Sequence, residues 1–277
     1  ALTAVSAATR AEEILAVESE KIRQNKKQDS YQEGILLKDV SFSYEGRKEV
    51  LQNINIKIEK SKTTALVGLS GCGKSTIASL LMKFIYPSSG AVYLNGIDYA
   101  CMNREQIGKY IVMVPQTVNL FNDTIRNNLL LANPSASDEQ LWQVLHEVSL
   151  DKHIQKMSDG LDTMVSEFGS NLSGGQKQMM GIARALLTDA EYIIFDEVTS
   201  AVDPESEKII WDCIDKLATK RTLIIISHRL SAIRNANQII VLRAGIVEEI
   251  GNHDELMQNQ GLYRELVEEQ NTLEVQA

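Results

Sequence analysis

Gly68-Leu69-Ser70-Gly71-Cys72-Gly73-Lys74-Ser75 lies between a short apolar run, Thr63 to Val67, and a helically spaced stretch, Ser75 to Phe84. A strand, a glycine loop and a helix in that order build a cradle for a polyphosphate. Gly68, Gly71 and Gly73 let the backbone take conformations closed to other residues and approach the anion closely. The N–H groups of the loop, those of Ser70 and Cys72 included, then face the phosphates together with the positive end of the helix that starts at Lys74. Lys74 can reach the β- and γ-phosphates, the Ser75 hydroxyl can ligate Mg²⁺, and Thr76 adds a contact to the α-phosphate. The Cys72 side chain reads either as a loop filler or as a redox switch.

Outward from this loop, strands alternate with helices. Ile35 to Tyr44 and Ala91 to Leu94, the latter closed by Asn95-Gly96, read as strands, and Ile54-Asn55-Ile56-Lys57-Ile58 alternates with period two. Further strands are expected at Ile111 to Val114, Tyr192 to Phe195, Thr222 to Ile226 and Gln238 to Leu242. Asn119 to Ile154 is helical and polar, with Ser137-Asp138-Glu139-Gln140 as a helix start, and another helix runs from Ser173 to about Leu187. This order predicts an α/β fold whose largely parallel sheet is covered on both faces. There is no repeat at solenoid periods and no low-complexity tract.

The 277 residues suffice for one large α/β domain with an insertion, or for two modest domains. Charged residues at 23% and apolar residues at 44% are ordinary values for a soluble globular protein. A net charge of −9 argues against broad electrostatic binding to nucleic acid. No stretch has the ~20 apolar residues of a membrane span, and no signal peptide is recognisable. Cys72, Cys101 and Cys213 are widely spaced and lack the pairing of a metal site, which favours a reducing compartment. The chain starts at Ala1, and the expectation is that it is processed or cut from something longer. Residues 1 to 30 differ in composition: a small-residue run precedes alternating apolar and charged positions (Ile14, Val17, Lys21) that end at Lys26-Lys27-Gln28-Asp29-Ser30. They read either as a surface helix with a linker or as the tail of a preceding membrane helix.

Two more stretches carry chemistry. Tyr192-Ile193-Ile194-Phe195-Asp196-Glu197 is a buried strand ending in two acids, which it delivers to the carboxyl edge of the sheet, where α/β folds bind ligands. There Asp196 would hold Mg²⁺ through its water shell and Glu197 would orient and polarise an attacking water, the positioning that phosphoryl transfer needs. Leu172-Ser173-Gly174-Gly175-Gln176 repeats the cradle idea: Ser173 and the N–H groups of Gly174 and Gly175 cap a helix whose positive end can face a phosphate.

With these stretches together, the sequence from about Ile35 to Glu269 resembles the ATP-binding cassette (ABC) family, and within it the nucleotide-binding domain of exporter-type transporters. Leu172 to Gln176 matches the family signature without a mismatch. The resemblance implies an α/β fold: a P-loop ATPase core with a mixed sheet (34–116 and 172–269), an antiparallel β subdomain and a helical insertion (117–171). Residues 1–33 would be the end of the last membrane helix and a linker, and 270–277 a tail. It implies ATP and Mg²⁺ as ligands. Its partners would be a second nucleotide-binding domain, whose Ser173 to Gln176 closes the ATP held by this chain, and a transmembrane domain, with no nucleic acid. It places the chain at the cytoplasmic face of a membrane.

Residue by residue, Tyr44 in Ser41-Phe42-Ser43-Tyr44 resembles the aromatic that stacks on adenine; without the family it would be an ordinary strand tyrosine. Gln116 in Val114-Pro115-Gln116 resembles the glutamine that contacts Mg²⁺ and water, and His228 in Ile226-Ser227-His228-Arg229 the switch histidine that touches the γ-phosphate. Glu197, His228 and Gln116 are thus the catalytic candidates, and Ser75, Gln116 and Asp196 the metal candidates. Ser200-Ala201-Val202-Asp203 resembles the D-loop that packs across the dimer, with Asp203 counted among the nucleotide-site positions. Thr163 to Gly169 resembles the exporter X-loop, and Phe121-Asn122-Asp123-Thr124-Ile125-Arg126 the segment after the Q-loop. Ser166, Val202 and Lys177 replace the usual glycine, leucine and arginine, and none of them removes a catalytic group. A soluble ABC-type ATPase acting on DNA or the ribosome is the alternative; it needs a coiled-coil insertion or second cassette and a basic face. A non-catalytic module is disfavoured by Glu197 and His228. The cargo is not written in this sequence.

Overall fold

In the computed structural model, residues 33–46, 48–200 and 202–276 are described. The expectations for residues 1 to 32, and Ala201 of the D-loop, lie outside them. The strands are β1 (Gly34–Ser43), β2 (Glu49–Glu59), β3 (Thr63–Gly68), β4 (Ser89–Leu94), β5 (Ile97–Asp98), β6 (Ile111–Val114), β7 (Tyr192–Asp196), β8 (Thr222–Ile226), β9 (Gln238–Arg243) and β10 (Ile246–Gly251). The α-helices are α1 (Lys74–Leu81), α2 (Arg104–Gly108), α3 (Ile125–Leu130), α4 (Asp138–Glu147), α5 (Asp151–Gln155), α6 (Gly174–Leu186), α7 (Pro204–Ala218), α8 (His253–Gln258) and α9 (Leu262–Gln276).

Two sheets form. One is antiparallel in the order β2-β1-β4-β5, and the other has the order β10-β9-β3-β8-β7-β6. Strands β9, β3, β8, β7 and β6 are parallel, and β10 joins antiparallel at the edge. The strands β3 and β8 are buried at every position, as the centre of a parallel sheet with both faces covered requires. Successive residues serve opposite faces: Ala65 and Val67 enter the core shared with the helices, while Leu66 enters the core under the antiparallel sheet. On β2, Ile54, Ile56 and Ile58 point inward between exposed or half-buried neighbours, as their alternation predicts.

Two strands were not legible. β5 has only two residues. β10 alternates exposed with half-buried positions as an edge strand, and its hairpin turn, Ala244-Gly245, has φ of 49° and 83°. That is the signature of a tight primed turn, but alanine is not a residue that announces one.

Between β6 and α6 the described chain is helical, apart from an isolated bridge between Thr124 and Met164. Ser137 caps α4 in a reciprocal box with Gln140, as its sequence suggests. Leu141, Leu145 and Val148 join Met179 and Ile182 of α6 in one buried core, so this segment shares the core of the large sheet. Toward the C-terminus, α9 continues through Gln276, so the boundary expected at Glu269 falls inside a helix. Among the described residues no helix is long and apolar enough to cross a membrane.

Candidate nucleotide site

The carboxyl ends of β3, β7, β8 and β6 share one edge, and each delivers one sequence-predicted element there. The loop after β3 closes on itself. The Lys74 ammonium, 4% exposed, donates to the carbonyl oxygens of Gly68 at 2.9 Å and Leu69 at 3.2 Å, and the Cys72 N–H donates to the Leu69 carbonyl at 3.3 Å. Gly73, at φ 111°, precedes α1 and gives its first turn no side-chain cap, nor is there an acid in that turn. The N–H groups at the start of the helix are therefore left for an outside acceptor.

The glycines of the loop serve different ends. A Cβ on Gly68 would meet the Leu242 carbonyl oxygen of β9 at 2.2 Å, and one on Gly73 would meet Leu51 at 2.5 Å. Those two let the protein pack onto itself. Gly71, at φ 77°, has open space where its Cβ would be, which leaves room for a ligand. The β9–β10 turn locks the loop from behind: the Gly245 N–H donates to the Cys72 carbonyl, and the Gln52 N–H of β2 donates to the Gly245 carbonyl.

At the end of β7, Glu197 adopts φ 50°, an uncommon value for a residue with a side chain. Its N–H donates to the Ile226 carbonyl at 2.9 Å, which ties the end of β7 to the end of β8. Its carboxylate Oε1 lies 2.8 Å from His228 Nε2. Burial, together with the neighbouring Glu197 charge, raises the Asp196 carboxyl above its ordinary value, against a smaller lowering by Lys74 and His228. Gln116, just past β6, donates from Nε2 to the Ser200 hydroxyl at 3.0 Å. A cavity of about 150 Å³ is lined by Val50, Ser70, Gly71, Gly73, Lys74 to Thr76, Glu197 and His228.

The arrangement fits a nucleotide with a divalent cation on three counts. The N-terminus of α1 is open, Lys74 supplies a buried cation, and the Asp196 carboxyl is half-buried beside Glu197, where a metal ion would offset the cost of its charge. Among the described residues no group of three or more His, Cys, Asp or Glu forms a metal site by itself. Magnesium suits such a place because it keeps waters and takes oxygens from phosphate.

Other predicted residues stand apart from this cavity. Tyr44, 40% exposed, lies just past β1 and meets the Phe42 ring edge-on at 4.8 Å. Phe42 pairs with Leu51, the residue against Gly73, so Tyr44 is linked to the loop only through Phe42 and Leu51 and does not itself line the cavity. Ser173 to Gln176 do not line the cavity. Ser173 caps α6, accepting from the Gln176 N–H at 3.2 Å, while Gln176 Oε1 accepts from the Ser173 N–H at 2.9 Å. The other end of the Gln176 amide reaches His153 Nε2 at 3.2 Å. Asp203 caps α7, accepting from the Ser206 N–H at 2.9 Å, and that contact holds its carboxyl below the ordinary value. The two helix starts touch, because a Cβ on Gly175 would meet Ser206 at 2.3 Å and Val202 at 3.2 Å. The two exporter-like segments also lie together: the Val165 N–H donates to the Asp123 carbonyl, and the exposed Phe121 and Met164 belong to them. Lys177 lies along Gly169, and the Ser166 N–H donates to Asn171 Oδ1.

Three polar residues missed in the sequence hold this scaffold. Gln178, 4% exposed, donates to the Pro115 carbonyl at 2.9 Å and so fixes the peptide before Gln116. Arg184 donates to the Asn128 carbonyl at 2.8 Å, Asn128 Oδ1 at 2.7 Å and the Asn119 carbonyl at 2.8 Å. Asn128 is fully buried and also bonds both backbone groups of Phe121. A polar residue on the apolar stripe of an amphipathic helix is the signal that could have found them.

The fold and this site define an α/β nucleotide-binding domain of the P-loop type. The sequence pattern of the ABC transporter family matches residues 51–200. The chain is 42% identical over 255 residues to the ATP-dependent lipid A-core flippase of Pasteurella multocida, covering 91% of this chain and 44% of the flippase. It is 43% identical over 240 residues to the mitochondrial potassium channel ATP-binding subunit of Xenopus tropicalis, covering 86% of this chain and 35% of that protein. The solved structure of a bacterial Atm1-family ABC exporter with ATP bound superposes with a TM-score of 0.87 at 32% identity, over 95% of this chain and 47% of that one. The chain belongs to the ABC transporter family. It spans less than half the length of these relatives.

Proposed function

We propose that this chain is the ATP-hydrolysing motor of an exporter. Two copies, or one copy and a related domain, would close head to tail around two MgATP and drive alternating access in a membrane domain at the cytoplasmic face. The Glu197–His228 contact of 2.8 Å in the cavity that Lys74 also lines carries the reading. In it, Lys74 and the loop N–H groups of Ser70 to Thr76 hold the phosphates. Ser75, Asp196 and Gln116 hold Mg²⁺, which when bound neutralises charge on the phosphoryl oxygens. Glu197 orients and polarises the attacking water, and His228, its present partner, turns to the γ-phosphate. Tyr44 stacks on the base.

Ser173 to Gln176 lie outside the chain's own cavity, so their helix terminus is available to the nucleotide of the partner, near Asp203 of the same surface. Closure stores part of the nucleotide's binding energy as differential affinity for the closed state. The cargo stays open, since the relatives range from a lipid A-core flippase to a potassium channel ATP-binding subunit.

The test measures ATP binding and turnover for the wild type, Glu197→Gln and Lys74→Ala. Glu197→Gln should bind ATP, dimerise with it and lose turnover by about 10²-fold or more, the usual weight of a general base. Lys74→Ala should lose nucleotide affinity. Wild-type turnover in Glu197→Gln would overturn the role of that carboxylate.

A further inference from the structure

We propose that Gln270, on the C-terminal helix α9, is a positioning residue for His228. This proposal rests on the reading of His228 and Glu197 given above. The β8 strand ends at Ile226, and beyond it the switch loop has no ladder to satisfy its backbone. The Gln270 amide takes the place of that ladder. Its Nε2 donates to the His228 carbonyl at 2.6 Å, and its Oε1 accepts from the Leu230 N–H at 2.7 Å. One planar group thereby pins the peptides on both sides of Arg229. The His228 imidazole leaves this pinned segment to reach Glu197. On its other side the loop is held by Arg229, paired with Glu207 of α7, and by the Ser227 hydroxyl, which accepts from the Arg229 N–H.

The lever itself is anchored. Tyr263 in the first turn of α9 is fully buried, its N–H donates to Glu249 of β10 at 2.8 Å, and its hydroxyl lies 2.9 Å from His253. Two turns further on, α9 faces the phosphate loop across a cavity of about 270 Å³, lined by Leu69 and Ser70, Ser227 and His228, and Leu266 and Glu269. Gln270 lies beyond the residues matched by the family pattern and within the stretch that the sequence reading set aside as a tail. The geometry makes it part of the switch. A displaced His228 lowers the rate of the chemical step, while the phosphate loop, to which Gln270 makes no hydrogen bond, keeps its grip on the nucleotide.

The experiment compares wild type, Gln270→Leu, Gln270→Glu and Glu197→Gln in the intact protein. It reads kcat and KM for ATP, the affinity for a fluorescent ATP analogue, and amide hydrogen exchange across Ser227 to Leu230. Gln270→Leu keeps the volume and loses both hydrogen bonds. It should lower kcat about ten-fold, a change of 1.36 kcal/mol in the barrier, leave KM and analogue affinity within about two-fold, and speed exchange at Leu230. Gln270→Glu keeps the acceptor for the Leu230 N–H and should fall between. Wild-type kcat in Gln270→Leu beside an inactive Glu197→Gln would overturn the positioning role alone. Loss of analogue affinity and kcat together in both Gln270 variants would also overturn it, since that marks general damage. Wild-type turnover in Glu197→Gln would remove the reading beneath it.

Discussion

Gly175→Ala tests what the signature does within its own chain. Gly175 is helical and carries no positive φ, so its backbone accepts alanine, and helix propensity alone would favour the change by about 1 kcal/mol. The obstacle is steric: the new Cβ would lie 2.3 Å from both Cβ and Oγ of Ser206, inside α7. A Cβ cannot swing aside as a long side chain can, so the helix starts must separate, at an overpacking cost of about 1–3 kcal/mol. The net change for Gly175→Ala is thus about 0–2 kcal/mol of destabilisation, too close to zero to interpret alone. The double-mutant cycle with Ser206→Gly cancels propensity and isolates the clash. Urea unfolding of the four proteins should give a coupling of about 1–3 kcal/mol, with the double mutant relieved of the strain. Additivity within about 0.5 kcal/mol would refute the close contact between the two helix starts.

Two further expectations follow from half-buried polar groups. Arg184→Met should strip Asn128 and Asn119 of three charged hydrogen bonds and cost about 2–4 kcal/mol, seen as a lower thermal midpoint; a loss under about 0.5 kcal/mol would show that water replaces the guanidinium there. The Asp196 carboxyl is raised, so the folded state holds its proton more tightly than the unfolded chain, and stability is lost as pH climbs from the ordinary carboxylate value through the raised one. Without metal, Asp196→Asn should therefore raise the urea midpoint at pH 7 relative to wild type and leave it nearly unchanged at pH 3; equal gains at both would contradict this origin.

Local periodicity and turn chemistry made most of the fold legible. The β6 and β8 bounds coincide with their apolar runs, and the Ser137 and Ser173 caps stand where a hydroxyl precedes a helical stretch with glutamine three residues on. These signals are complete within a few residues. Edge strand β10 was missed because half its positions face solvent and its turn uses alanine.

The glycines, lysine and serine after β3 and the two acids ending β7 were candidates from local chemistry at a strand end, whereas the histidine after β8 was singled out only through the family resemblance. What the tertiary structure alone decided is how those ends are held. Gly68 is a glycine because the β9 backbone passes within reach of its missing Cβ, and the loop is locked by a hairpin about 170 residues later. The switch loop is gripped by Gln270, 42 residues beyond His228. No pattern within a helix or strand encodes such pairings, because a side chain's partner depends on which surfaces the packed sheet brings into contact.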